Sequence, residues 1–300
     1  MKTINHVALI VTLLIASVIG TTSVFASPVL GEQLGKTAAQ IEQRTGGRLG
    51  ISVTDLASDT HWSYKGDQRF PLASTFKAFA CASLLSQADR GKLDLGQRMT
   101  YTSRELDSYS PVTRDHADGP GLSLSQLCDA AMSMSDNTAA NLVLKAVGGP
   151  AGLTAFMRSI GDGTTRVDRY EPELNNVSPG DPRDTTSPIA AAQSLRALLL
   201  GNVLSETSRQ QFEAWLVDNK VSAPLFRASL PGGWKIADRT GASEYGSRGI
   251  IAVIWPTGDD TTHGPVVVAV YLTGTRLSLE ERNTVLAEVG AALVRDLKPL

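Results

Sequence analysis

The clearest hydrophobic period lies near the C-terminus. Val285, Leu286, Val289, Leu293 and Val294 fall on one helical face and predict a helix over 281–297. Residues 31–45 also read as a helix. Residues 49–56 instead alternate, with Ile51 and Val53 set against Ser52 and Thr54, which predicts a strand. A second strand, 61–64, follows a Ser58-Asp59 turn. The segments 249–255 and 266–273 are rich in valine and isoleucine and read as buried strands. Between them, 256–265 is full of turn residues, and a further strand is expected at 235–241.

The middle of the chain has the helical period instead. Residues 74–87, 123–132, 137–147, 151–160 and 189–200 read as helices. Residues 170–188 resist assignment and carry Pro172, Pro179, Pro182 and Pro188. An ordered Ω-type loop fits this stretch, pinned inward by Leu174 and Val177. Strands at both ends and helices between them imply two lobes, with a cleft expected at their boundary.

The start of the chain stands apart. Lys2, an apolar run over 7–19 and Val24-Phe25-Ala26 have the form of a secretory signal peptide, residues 1–26. A membrane span needs about 20 apolar residues, so the mature protein is expected to be exported, without a membrane anchor. In an oxidising compartment Cys81 and Cys128 would most simply form one disulfide; two buried free thiols are the alternative.

Composition narrows function mainly by exclusion. The 300 residues carry 28 basic and 30 acidic side chains, a formal net charge of −2, so a nucleic-acid partner is not expected. The histidines His6, His61, His116 and His263 lack metal-ligand spacing, and no metal or cofactor is expected. Gly31 to Thr37 is one residue short of a phosphate-binding loop and follows no strand. A G-x-S-x-G elbow is absent from the sequence. Asn176-Val177-Ser178 fits a glycosylation sequon too short to be informative.

Four short motifs carry chemistry together. In Ser74-Thr75-Phe76-Lys77, a helix opening at Ser74 sets Lys77 one turn on, on the same face. A serine hydroxyl is a weak nucleophile until a base takes its proton, and a desolvated lysine is such a base. Unpaired N–H groups at that helix start suit an oxyanion. Ser135-Asp136-Asn137 stands at the mouth of an expected helix, Arg239-Thr240-Gly241 on an expected strand, and Glu171-Pro172-Glu173-Leu174-Asn175 in the proline-rich loop. Singly, each is equally a helix cap, a strand end or a solvated loop.

In this order the set resembles the class A β-lactamases and penicillin-binding proteins. Arg169 to Asn175 is similar to the Ω loop of the class A enzymes. Ser108 to Val112, Gly233 to Asp238 and Gly246 to Ile250 are similar to other family segments. The resemblance spans essentially the whole chain after residue 26. It implies an α/β fold of the α+β type, with a five-stranded antiparallel sheet flanked by helices plus an all-helical lobe. The implied catalytic domain is 27–300. Its α/β lobe is 27–73 and 221–300, and its helical lobe is 74–220, with the Ω loop at 169–184.

The resemblance also implies roles. Ser74 would attack the β-lactam carbonyl, with Lys77 or Glu171 as base. Ser135 would pass a proton to the leaving nitrogen. The N–H groups of Ser74 and Ala242 would hold the oxyanion. Asn137 would bind the substrate's side-chain amide, and Tyr109 would wall the cleft. Ser135 and Arg248, with Thr240 and Arg239 on the strand that carries Gly241, would hold the substrate carboxylate. Glu171 and Asn175 would activate the deacylating water. Cys81 and Cys128 would pair, and Arg169 and Asp184 would close the Ω-loop neck. Small-molecule β-lactams are the implied partners of a monomer, placed in the periplasm, with release into the medium as the alternative.

Two positions depart from the usual family pattern. Arg239 replaces lysine, as in the carbenicillin-hydrolysing subgroup, and arginine is a poorer proton-relay partner. Ser243 replaces glycine, a change associated in the family with oxyimino-cephalosporins. A cell-wall DD-peptidase and a β-lactam sensor share the serine and lysine triads. Glu171 and Asn175, as deacylation equipment, favour the hydrolase.

Overall fold

The computed structural model describes residues 30–176, 178–258 and 263–298. The expected signal segment 1–26 and Val177 lie outside the described residues.

The chain begins with helix α1 (Glu32–Thr45), strands β1 (Arg48–Asp55) and β2 (Thr60–Tyr64), and a short β3 (Phe70–Pro71). A 3₁₀ turn at Ala73–Thr75 leads into α2 (Phe76–Asp89). Next come β4 (Arg98–Met99), β5 (Leu122–Ser123), α3 (Leu124–Ser133), α4 (Asn137–Ala146) and α5 (Gly149–Ser159). The chain continues through β6 (Thr185–Thr186), α6 (Pro188–Leu199) and α7 (Glu206–Val217). It ends with β7 (Lys235–Ser243), β8 (Ser247–Trp255), β9 (Val266–Thr273) and α8 (Leu279–Leu297).

Five strands form one antiparallel sheet in the order β2-β1-β9-β8-β7. Side chains on successive strand positions point to opposite faces, and β9 shows the consequence. Val266, Val268, Val270 and Leu272 pack against α1 and α8, whereas Val267, Ala269 and Tyr271 join the core of the central helices. Both faces of β9 are therefore covered, which is why its sequence reads as a continuous apolar run rather than an alternation.

Helix α2 is the axis of the second core. Its residues from Phe76 to Ser86 are all buried, so it is apolar on every side. Cys81 on α2 and Cys128 on α3 form a disulfide with a Cα–Cα distance of 5.7 Å, and the free-thiol alternative does not apply.

The expected helices and strands are present, with ends moved mostly by one or two residues. One shift matters: Ser74 lies in the 3₁₀ turn rather than opening an α-helix, because α2 starts at Phe76. Helix α7 was not legible in the sequence. Its buried side chains Phe212, Trp215 and Leu216 hold only a narrow stripe among polar residues. Among the described residues, no helix is long and apolar enough to cross a membrane.

Candidate active site

The four motifs converge where the 3₁₀ turn, the start of α4, the proline-rich loop and the edge strand β7 meet. Ala73, just before Ser74, has φ +44°, and Ser135 has φ +61°. Left-handed backbone at non-glycine residues is strained and persists only where surrounding contacts over-determine it. Here Lys77 Nζ donates to the Ser135 carbonyl at 2.8 Å, and Asp136 N donates to the Ala130 carbonyl at 3.2 Å.

Asp136 locks that turn. It is fully buried and caps α4 through Ala139 N, and it also accepts from Val112 N, Thr113 N and Thr113 Oγ1. The cap therefore ties the α4 start to the segment that carries Tyr109, whose side chain is exposed.

Lys77 is the charged side chain within the buried part of α2. Its Nζ also donates to Asn137 Oδ1 at 2.6 Å and to Ser135 Oγ at 3.3 Å. Glu171 Oε1 lies 3.5 Å away, with both side chains fully buried. Burial lowers the Lys77 ammonium to about 8; Glu171 opposes that fall and the Arg239 charge adds to it. The Glu171 carboxyl is pushed up by burial, against the pull of Lys77. An ionised pair in such a site is costly to desolvate, so each partner keeps the other's charge tolerable.

Glu171 is held from two sides. Asn141 on α4 accepts from Glu171 N at 2.9 Å and donates to its carbonyl at 2.8 Å. Asn175 Nδ2 donates to Glu171 Oε2. Glu171 Oε1 and Asn175 Oδ1 are buried and accept no hydrogen bond from the described residues. Buried oxygens of this kind suit a water or a substrate atom. Arg169 Nε donates to Asp184 Oδ2 at 2.6 Å and closes the loop's neck, and Leu174 is buried as expected.

On the opposite wall, β7 presses on the serine turn. A Cβ at Gly241 would lie 2.7 Å from Ser74 N and 3.0 Å from Thr75 N. Only glycine allows this approach, which brings Thr240, Gly241 and Ala242 alongside Ser74. Arg239 is fully buried, and its Nη2 donates to Ser135 Oγ at 2.6 Å. Its Nε and Nη1 have no partner among the described residues, and burial lowers the guanidinium to about 10. Arg248 Nη1 donates to the Gly241 carbonyl at 2.9 Å, and its Nε to Asn283 Oδ1 at 2.8 Å. Ser243 is at the strand end, where the next residue, Glu244, donates its N–H to the Asn175 carbonyl at 3.3 Å.

Contacts link Lys77 to Ser135, Asn137 and Glu171, Glu171 to Asn175, Arg239 to Ser135, and Gly241 to Ser74 and Arg248. Arg169 and Asp184 stand apart at the loop's neck, and Cys81–Cys128 in the helical core. Asp107, Asn141 and Asn283 were missed. Asn141 had a signal, since it falls one helical turn after Asn137 on the same face. Asp107 and Asn283 had none, because the hydrogen bonds from Asn137 to Asp107 and from Arg248 to Asn283 join distant segments.

A helical core against an antiparallel sheet, with buried Ser74, Lys77 and Glu171 where the two meet, carries the residue types of a serine hydrolase. The β-lactamase enzyme family matches residues 33–297. β-Lactamase AER-1 of Aeromonas hydrophila is 48% identical over 84% of this chain and 82% of its own length. β-Lactamase PSE-4 of Pseudomonas aeruginosa is 44% identical over 94% of this chain and 96% of its own. The chromosome-encoded β-lactamase of Vibrio parahaemolyticus superposes with a TM-score of 0.84 at 47% identity, covering 87% of this chain and 98% of that one. An ancestral class A β-lactamase gives the same TM-score, 0.84, at 52% identity. The chain belongs to the class A β-lactamase family and is a serine β-lactamase.

Proposed function

We propose that the protein opens the β-lactam amide of penicillins, carbenicillin included, and of some cephalosporins through a serine acyl-enzyme, and so confers resistance to them. Ser74 Oγ attacks the carbonyl carbon and loses its proton to Lys77 or, through a water, to Glu171. Burial lowers the Lys77 ammonium from its usual value, which makes the free amine more accessible as a base. The N–H groups of Ser74 and Ala242 hold the oxyanion. As the C–N bond breaks, Ser135 passes a proton to the leaving nitrogen. A water held by Glu171 and Asn175 then loses a proton to Glu171 and attacks the ester, which releases Ser74. The observation that carries this reading is the fully buried Lys77–Glu171 pair at 3.5 Å, whose Glu171 Oε1 accepts no hydrogen bond from the described residues.

Thr240 and Ser135, with Arg239 and Arg248, would hold the substrate carboxylate, and Asn137 the side-chain amide. Arg239 would favour penicillins with an extra side-chain carboxylate; the similarity to β-lactamases PSE-4 and CARB-3 supports this. Ser243, whose buried Oγ has no partner among the described residues, would widen the cleft for oxyimino-cephalosporins. A Ser243→Gly variant with equal kcat/KM on such a substrate would remove that idea. The catalytic unit is 27–300, with lobes at 27–73 plus 221–300 and at 74–220. After removal of residues 1–26 it would act as a monomer in the periplasm or the medium. The direct test is Ser74→Ala, which should lower benzylpenicillin turnover by about 10⁴-fold or more. Turnover at the wild-type rate would overturn the reading.

A further inference from the structure

Asp107 is in the segment just ahead of Tyr109. Its Oδ1 accepts from Asn137 Nδ2 at 3.0 Å, from Tyr109 N at 3.0 Å and from Ser108 Oγ at 3.4 Å. Its own N–H donates to Thr138 Oγ1 at 2.8 Å, so both ends of the residue are tied to the start of α4. On the far side of Asn137, Oδ1 accepts from Lys77 Nζ at 2.6 Å. A protonated lysine only donates and an ionised carboxylate only accepts. Between them the Asn137 carboxamide has one orientation, with Oδ1 toward Lys77 and Nδ2 toward Asp107.

The three side-chain hydrogen bonds all fall on Oδ1, which leaves Oδ2 of this half-buried carboxylate outside them. Its charge reaches the centre of the site. The Glu171 carboxyl is pushed up first by burial, against Lys77, and the negative charge of Asp107 adds to the rise.

We propose that Asp107 is a positioning and specificity-determining residue. It fixes Asn137 for the substrate's side-chain amide and places a negative charge at the acyl end of the cleft. That charge favours side chains bearing a cation over those bearing a carboxylate. The assignment rests on the β-lactam reading above. Asp107 and Arg239 then act in opposition on a side-chain carboxylate. A unit charge about 7 Å from another in a part-screened site changes an equilibrium by about ten-fold.

The experiment compares wild type, Asp107→Asn and Asp107→Ala on four penicillins at pH 6. Ampicillin carries an α-ammonium, carbenicillin an α-carboxylate, benzylpenicillin neither, and 6-aminopenicillanic acid no acyl chain. Asp107→Asn keeps an acceptor for Asn137 but removes the charge, and should lower the ampicillin-to-carbenicillin ratio of kcat/KM by about five-fold or more. Asp107→Ala removes the acceptor too, and should raise KM for benzylpenicillin several-fold more than for 6-aminopenicillanic acid. An unchanged ratio in Asp107→Asn, or equal KM changes for the two substrates in Asp107→Ala, would overturn the assignment. Benzylpenicillin turnover by the wild type keeps the parent reading intact in either case; its absence would remove both.

Discussion

Arg239 Nη2 and Ser135 Oγ are 2.6 Å apart, and Lys77 Nζ approaches the same oxygen at 3.3 Å. Arginine is always a donor, and so is lysine while it is protonated. Ser135 Oγ therefore accepts from both, and its own O–H proton is directed away from them. When Lys77 is a free amine, it instead becomes an acceptor for that proton. In the proposed reaction, protonated Lys77 would therefore resupply the proton that Ser135 gives to the leaving nitrogen, while Arg239 only holds the oxygen.

Arginine at 239 has a consequence for substrate choice. Its Nε and Nη1 are buried without partners among the described residues, which is unfavourable unless an anion or water meets them. Arg239→Lys should lower the carbenicillin-to-benzylpenicillin ratio of kcat/KM by about three-fold to ten-fold. An unchanged ratio would show that the guanidinium has no part in carbenicillin turnover.

The pH dependence follows from Glu171. A general base works only when deprotonated, so turnover falls as pH drops through its pKa. Burial raises that pKa above the usual glutamate value of 4.5. The acid limb of kcat under deacylation-limited conditions should therefore lie above 4.5. A limb at or below that value would contradict the role. The corresponding profile for acylation distinguishes the bases, because a limb near 8 belongs to Lys77.

Gly241→Ala should cost about 100-fold or more in kcat/KM, because its Cβ would strike the backbone N of Ser74 and Thr75 rather than a flexible side chain. Steady-state kinetics on benzylpenicillin checks this. A loss under about three-fold would mean that the contact between β7 and the serine turn is slack.

Asp296 makes a long-range cap. From the last turn of α8 it accepts the N–H groups of Gly31, Gln33 and Leu34, where Gly31 offers no side-chain cap of its own. Asp296→Ala should lower stability by about 2–3 kcal/mol, with kcat/KM of the folded enzyme kept. Urea unfolding of both proteins gives the difference, and a change under about 0.5 kcal/mol would refute the cap.

What the sequence made legible follows from what each signal encodes. The buried strands β8 and β9 declared themselves because burial on both faces leaves a run of valine and isoleucine. Ser74 and Lys77 became legible only together with the Ser135, Glu171 and Arg239 motifs, because Ser-x-x-Lys alone is equally a helix cap followed by a solvated lysine. Helix α7 was hidden by its narrow apolar stripe. The α1 cap by Asp296 and the hold of Asp107 on Asn137 were hidden because each joins segments far apart in the chain, where no local period records a contact.

The central claim is a serine acyl-enzyme that Glu171 clears. Intact-protein mass spectrometry, timed after mixing with benzylpenicillin, tests it most directly on wild type and Glu171→Ala. The wild type should return rapidly to its free mass, and the variant should retain one penicilloyl adduct. A lasting adduct in both would indicate a penicillin-binding protein or sensor, and no adduct or turnover in either would contradict the account.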